Sequence, residues 1–161
     1  MAEKAMGGVE RVRAALAGHG LGCEVKELSQ STRTAQEAAA AVGCDVGQIV
    51  KSLVFKGAAS GRPVLALVNG AARASEARLS ELLGEPVARA DPAFVREKSG
   101  FAIGGVAPVG HREPPVVLID RTLLSYAVVW AAAGAPNAVF AVAPGELARV
   151  TGGAVADLVE P

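Results

Sequence analysis

A surplus of positive charge is missing from this sequence: 16 basic side chains face 16 acidic ones along 161 residues. A protein held to nucleic acid mainly by neutralising phosphates carries a strongly basic balance, so that class is excluded and an RNA partner would need a local basic patch. Aromatic residues are scarce, at 4% with one Trp, one Tyr and four Phe, too few for rows of stacking platforms under single-stranded bases. Only two cysteines occur, Cys23 and Cys44, with no CxxC spacing and no neighbouring His. Neither a zinc site nor a disulfide framework follows, and two free thiols in a reducing, cytoplasmic compartment are expected. Long apolar runs are absent too. The most apolar stretch, "YAVVWAAAGAPNAVFAVAP", is broken by Gly134, Pro136 and Asn137 short of the ~20 residues that cross a bilayer. The N-terminus carries Glu3, Lys4, Glu10, Arg11 and Arg13 and lacks the apolar core of a secretory signal. No membrane and no DNA partner is expected.

Familiar catalytic apparatus is also lacking. There is no G-x-S-x-G elbow, and the only histidines are His19, in a turn, and His111, beside a glycine loop; a nucleophilic triad is therefore disfavoured. His111 would serve as a metal ligand or general base only with a second group at helical or strand spacing, so it reads as a surface loop histidine. The adjacent glycines lack the following Lys-Ser/Thr of a P-loop, and Lys51 and Ser52 are preceded by Gly47 alone. No metal and no cofactor is expected.

What is present is a 51% hydrophobic, 20% charged chain of the length and balance of one compact domain spanning 1–161. Val9, Val12 and Leu16 recur at helical spacing before Gly18 and Gly20, and "CEVKEL" alternates as a strand. Thr34 and Glu37 form a capping box ahead of an alanine-rich helix that stops at Gly43. Strand 50–56, the turn "GAASGRP" and the strand "VLALVN" read as a hairpin. Ser75 and Gly84 bracket another helix, and Asp91, Pro92 and Gly100 bracket the next. "FAIGGVAPVGH" is too rich in Gly and Pro for regular structure, whereas "PVVLID", "YAVVWA" and "NAVFAVA" are strand-like. "PGELARVTGG" is a last short helix and "AVADLVE" a closing edge strand. Because hairpin-length connections mix with helical ones, an α+β fold is expected, with a mixed, largely antiparallel sheet flanked by short helices.

Two features stand out for chemistry. In "QIVKSLVFK", alternation puts Ile49, Lys51, Leu53 and Phe55 on one face, with Lys51 its only polar member. The chain has only five Lys against eleven Arg. A lysine so placed meets a carboxylate, snorkels to solvent, or lines a cleft whose ligand supplies its partner. The second feature is the loop Gly104, Gly105, Val106, Ala107 and Pro108, which is either a tight connection or a cradle where successive N–H groups converge on one oxygen.

Taken in order, "TAQEAAAAVG", "QIVKSLVF", "KSGFAIGGVAPVGH", "VVLID" and "AAAGAP…FAVAPGELARVTGG" resemble the YbaK-like proteins and the related editing (insertion) domain of bacterial prolyl-tRNA synthetases. These pieces cover residues 30–158, and the G-x-x-x-P loop after Ser99 to Phe101 is the most specific of them. The resemblance implies an aminoacyl-tRNA deacylase acting in trans on tRNA mischarged with a small amino acid, such as Cys- or Ala-tRNA for proline. It implies Lys51 and Gly104 as the catalytic positions. Ser52, Thr32, Thr34, Gly105, Val106, Ala107, Pro108, Asp120, Ala132 and Gly134 would contact the 3′ aminoacyl-adenosine end. For Thr34, helix capping is a sufficient role, and for Asp120, turn initiation. Where some relatives carry Ser-Gly-Gly, this chain has Ala132, Ala133 and Gly134, which bears on amino-acid preference. A synthetase, prolyl-tRNA synthetase first among them, is a possible partner. The rival expectation is a module of the same fold that holds tRNA or a small ligand without hydrolysis, free or docked on a synthetase.

Overall fold

The computed structural model describes residues 7–30, 32 and 34–161; Glu3 and Lys4, used above against a secretory signal, lie outside them. Three helices pack on one face of a sheet and two on the other. Helix α1 (Gly8–Gly18) presents Val12 and Leu16 to the first face, joined there by Phe94 and Val95 of α4 (Pro92–Ser99) and Leu147 and Val150 of α5 (Pro144–Thr151). Helix α2 (Ala35–Val42) covers the second face with Ala38 and Ala39, and α3 (Glu76–Leu83) covers it with Leu79.

The helix ends follow their sequence signals. Thr34 and Glu37 close a reciprocal capping box, Ser75 accepts from the Arg78 N–H and Asp91 from the Phe94 N–H, and Gly43, Gly84 and Gly100 end their helices in the left-handed region.

The strands are β1 (Val25–Glu27), β2 (Ile49–Gly57), β3 (Pro63–Asn69), β4 (Val87–Arg89), β5 (Val116–Asp120), β6 (Val129–Ala132), β7 (Ala138–Val142) and β8 (Ala154–Ala156). They form one sheet in the order β1-β7-β6-β2-β3-β5-β8, with β4 paired to β2 off that path. Four pairings are antiparallel and three parallel, so the sheet is mixed as expected. Central β3 is buried along its whole length, as a strand covered on both faces must be. The β2–β3 hairpin and the edge position of β8 match the sequence reading; β4 and 3-10 turns at Val46–Gln48 and Arg121–Ser125 are additional.

One irregularity of this sheet places the site. On the side of β2 away from β3, β6 pairs only with Ile49 and Val50, and β4 only with Phe55 to Gly57. Between these two short neighbours the β2 edge lies open.

Candidate active site

The open edge forms the wall of a cavity of about 360 Å³, within the range of small-ligand sites. Alternation along β2 sends Val50 and Val54 into the core of the first face and Ile49 and Phe55 into the two separate clusters on the second. Lys51 therefore stands on the second face between the apolar patch under α2 and the one under α3. Side chains from both faces line the cavity, making it a notch cut into the sheet rather than a groove laid across it.

Lys51 is the cavity's one lysine, and it is half-buried. Its ammonium donates to the carbonyl of Ala72 in the turn after β3. No carboxylate pairs with it among the described salt bridges. Beyond Lys51 lies a second, polar depression lined also by Arg73, Glu76, Arg89 and Glu160. Burial first, then repulsion from Arg73 and Arg89, pulls the Lys51 pKa below the usual lysine value. Three cations and two carboxylates meet there, with Arg73 paired to Glu160 at 3.9 Å, which leaves one net positive charge beside the apolar cavity. Lys51 thus lines the cleft with no carboxylate partner among the described residues, its ammonium held by the Ala72 carbonyl.

The glycine loop reaches the same cavity. Residues 100–111 leave α4 and return with the Arg112 N–H donating to the Ser99 carbonyl at 3.1 Å, which closes the loop at its base. Gly104 and Val106 line the cavity. Gly104 sits at φ +95° with its nearest obstacle 3.8 Å from an added Cβ, so conformation rather than space requires glycine. At Gly105 the reverse holds: an added Cβ would lie 2.8 Å from Cα of Ala135, and glycine lets the two backbones touch. The Gly105 N–H donates to Ala102 O at 3.0 Å, and Pro108 has no N–H. Of the expected run of successive donors, only Gly104 and Val106 belong to residues that line the cavity.

A second layer holds the loop from behind. The Arg11 guanidinium donates to the carbonyls of Gly110 and Ser99, both at 3.2 Å, and lies 4.5 Å from the Phe101 ring centroid. His111 meets Phe101 edge-on at 5.4 Å and, as the Nε2–H tautomer, donates to Ala107 O at 2.6 Å. Its burial depresses its pKa; the Ala107 bond opposes this and the Arg11 charge adds to it. The surface-loop reading of His111 is corrected: its ring packs beneath the loop. The signal sequence reasoning overlooked is the Arg11 side chain on an otherwise ordinary helix, which caps this stack.

The expected site residues divide clearly. Lys51, Ser52, Thr32, Thr34, Gly104, Val106 and Ala132 line the cavity. Thr32 Oγ1 is engaged with Pro136 O at 3.2 Å, and Thr34 with the capping box. The Ser52 hydroxyl, by contrast, is buried without a partner. Gly105, Ala107 and Pro108 are buried behind the lining, and Gly134 packs its backbone on Gly8 of α1. Asp120 is 1% exposed and lies off the cavity. Its carboxylate accepts from the Leu158 N–H at 3.0 Å and from the backbone and hydroxyl of Thr122, which leaves nothing for a substrate. Arg89, Ile103, Trp130 and Pro136 also line it, among mostly aliphatic neighbours, and carried no sequence signal. Among the described residues there is no cluster of His, Cys, Asp or Glu fit to hold a metal, and no helix is long and apolar enough to cross a membrane.

Comparison with known proteins agrees with this geometry. The aminoacyl-tRNA editing domain family matches residues 29–150. The uncharacterised protein YwhH of Bacillus subtilis is 30% identical over 126 residues, 78% of this chain and 80% of its own length. The proline--tRNA ligase of Limosilactobacillus fermentum is 29% identical over 102 residues, 61% of this chain but 18% of the ligase. A crystal structure of a proposed trans-editing enzyme for prolyl tRNA synthetase superposes with TM-score 0.92 at 50% identity, covering 98% of this chain and 100% of that one. With the match running through β2, the glycine loop and the strands that frame the cavity, the chain belongs to the aminoacyl-tRNA editing domain family.

Proposed function

We propose that the chain is a trans-acting aminoacyl-tRNA deacylase that hydrolyses the ester of tRNA mischarged with a small amino acid, alanine or cysteine on proline tRNA. The observation that carries this reading is the meeting of Lys51 and the Gly104–Val106 backbone on one apolar cavity, in a chain of the editing family. The trans-acting form is supported by the likeness, end to end, to the proposed trans-editing enzyme.

The chemistry follows from what lines the cavity. No His, Asp, Glu or Cys stands among its described lining residues, and the one remaining candidate base, Lys51, donates its ammonium to the Ala72 carbonyl, so the attacking water is assigned to the substrate's own hydroxyl. Water, activated by the vicinal ribose hydroxyl of the substrate, attacks the ester carbonyl carbon. The oxyanion of the tetrahedral intermediate is stabilised by loop N–H groups of Gly104 and Val106. Its collapse breaks the bond to the ribose oxygen, which takes the proton, and releases the free amino acid. Lys51 orients rather than attacks: its charge meets the anionic end of the RNA, with Arg73 and Arg89 adding to the field. The apolar lining strengthens that contact by excluding water. Alanines 131, 132, 135 and 138 line the cavity and suit a small aminoacyl side chain, although an apolar pocket separates one methylene by only ~1–3 kcal/mol.

The test is hydrolysis of proline tRNA charged in turn with alanine, cysteine, serine and proline. Release of alanine or cysteine at ~10²-fold or more above the spontaneous rate, with prolyl-tRNA spared, is expected. Background rates on every mischarged tRNA would overturn the proposal.

A further inference from the structure

Among the described residues, main-chain register around β2 leaves one pair of backbone groups unclaimed. The Gly57 N–H donates to Arg62 O at 3.0 Å on the β3 side, and Val54 O accepts from the Ala90 N–H at 3.1 Å on the opposite side. Alternate residues of a strand turn their N–H and C=O to opposite edges. Ser52, two positions before Val54, therefore aims both groups away from β3. Pairing with β6 ends at Val50, opposite Ala131, and pairing with β4 begins at Phe55, opposite Arg89. Ser52 falls in the interval, and its hydroxyl is also buried without a partner. Ser52 is half-buried, and main-chain groups withdrawn from water are nearly always paired, so a donor and an acceptor standing side by side on a cavity wall suit a ligand that returns both.

We infer that this open edge binds the terminal adenine of the aminoacylated RNA through its Watson–Crick edge, the Ser52 N–H donating to N1 and the Ser52 carbonyl accepting from the exocyclic amino group. The identity of the base rests on the deacylase reading, since the ester to be cleaved is carried by a 3′-terminal adenosine. The donor–acceptor complementarity is independent of it: adenine presents one acceptor and one donor side by side in one plane, as a single strand residue does. The apolar cavity lining, including Val106, Trp130 and Pro136, gives the faces of the base a water-excluding environment. Lys51, next along the strand, then stands where the ribose and its phosphate emerge toward Arg73 and Arg89. Recognition by main chain also fits a chain with few aromatic residues, since no stacking platform is required.

The experiment measures binding of 3′-alanylamino-3′-deoxyadenosine, whose amide resists hydrolysis, to the intact chain by calorimetry. Its 1-deaza, N6,N6-dimethyl and 7-deaza analogues are titrated alongside. The 1-deaza and dimethyl analogues should each bind roughly tenfold more weakly, the scale of one lost hydrogen bond, and the 7-deaza analogue within about twofold of the parent. Equal affinity for all four, loss on 7-deaza substitution instead, or no binding of the parent would overturn the inference. Base discrimination in binding without hydrolysis of any mischarged tRNA would overturn the deacylase reading and leave this one standing.

Discussion

Asp120 and Ser52 are both polar residues on strands of one sheet, and they differ in whether the protein has used them. At the end of β5 the Asp120 carboxylate serves the Leu158 N–H and Thr122; Thr122 accepts from Asn69 at 2.6 Å, and Asn69 accepts from the Ala71 N–H at 2.9 Å. Every member of that chain is satisfied internally. On β2 the Ser52 hydroxyl is unpartnered, and Lys51 beside it has a partly desolvated ammonium held by a single backbone carbonyl, Ala72, with Arg73 and Arg89 nearby. A satisfied buried network rigidifies a fold, whereas unsatisfied groups cost stability and are tolerated where a ligand completes them. The same apolar sheet thus holds a region whose polar groups are satisfied internally and a region that the proposed substrate would complete.

Substitutions should separate the two regions. Asp120→Ala strands the Leu158 N–H and Thr122 inside the protein and should cost roughly 2–4 kcal/mol in urea unfolding. Deacylation by the folded fraction should change less than about tenfold, because Asp120 touches only the far end of the turn that carries Ala72; a greater loss would merge the two regions. Gly105→Ala drives a Cβ into the Ala135 backbone and should cost about 1–3 kcal/mol. It should also slow hydrolysis by displacing the loop, and a variant as stable and active as the parent would refute the tight contact.

The pH dependence of stability reports the layer behind the loop. His111 has its folded pKa below its ordinary value of 6.5, for burial first. Below pH 6.5 the unfolded chain then binds the extra proton, so stability should rise with pH up to about 6.5 and hold level above it. His111→Gln should flatten that slope in pH-dependent melting; an unaltered slope would show that another group titrates. The smallest effect belongs to Ser52→Ala. The hydroxyl has no partner to lose, so stability should stay within about 0.5 kcal/mol while hydrolysis slows by no more than about tenfold. A clear loss of stability would mean that the hydroxyl belongs to the satisfied region after all.

Local signals carried most of the fold. The capping box at Thr34 and Glu37, the Asp91 and Pro92 start of α4, and the β-branched runs of β3 and β5 depend on neighbours in sequence, and each is where periodicity and caps put it. Lys51 was legible because it interrupts an apolar face, and Gly104 because its loop admits no regular structure. The open edge was not legible, since it consists of pairing that does not occur: it depends on β4 and β6 being too short to meet along β2, a tertiary fact. β4 itself has three residues and no alternation to detect. His111 sits in a segment whose composition reads as surface, and it is packed in by Phe101 together with Arg11, which lies 100 residues away in sequence. Asp120 shows the opposite limit, because "VVLID" marks the end of a strand equally well whether its aspartate faces a substrate or the protein's own amides.

The most direct measurement is single-turnover hydrolysis of alanyl-tRNA for proline by the Lys51→Ala variant, with its melting temperature recorded in parallel. The rate should fall by about 10²-fold or more while the melting temperature changes little, because relief of a partly desolvated ammonium offsets loss of its hydrogen bond to Ala72 O. An unchanged rate from a folded variant would contradict the assignment of the site to the open edge of β2.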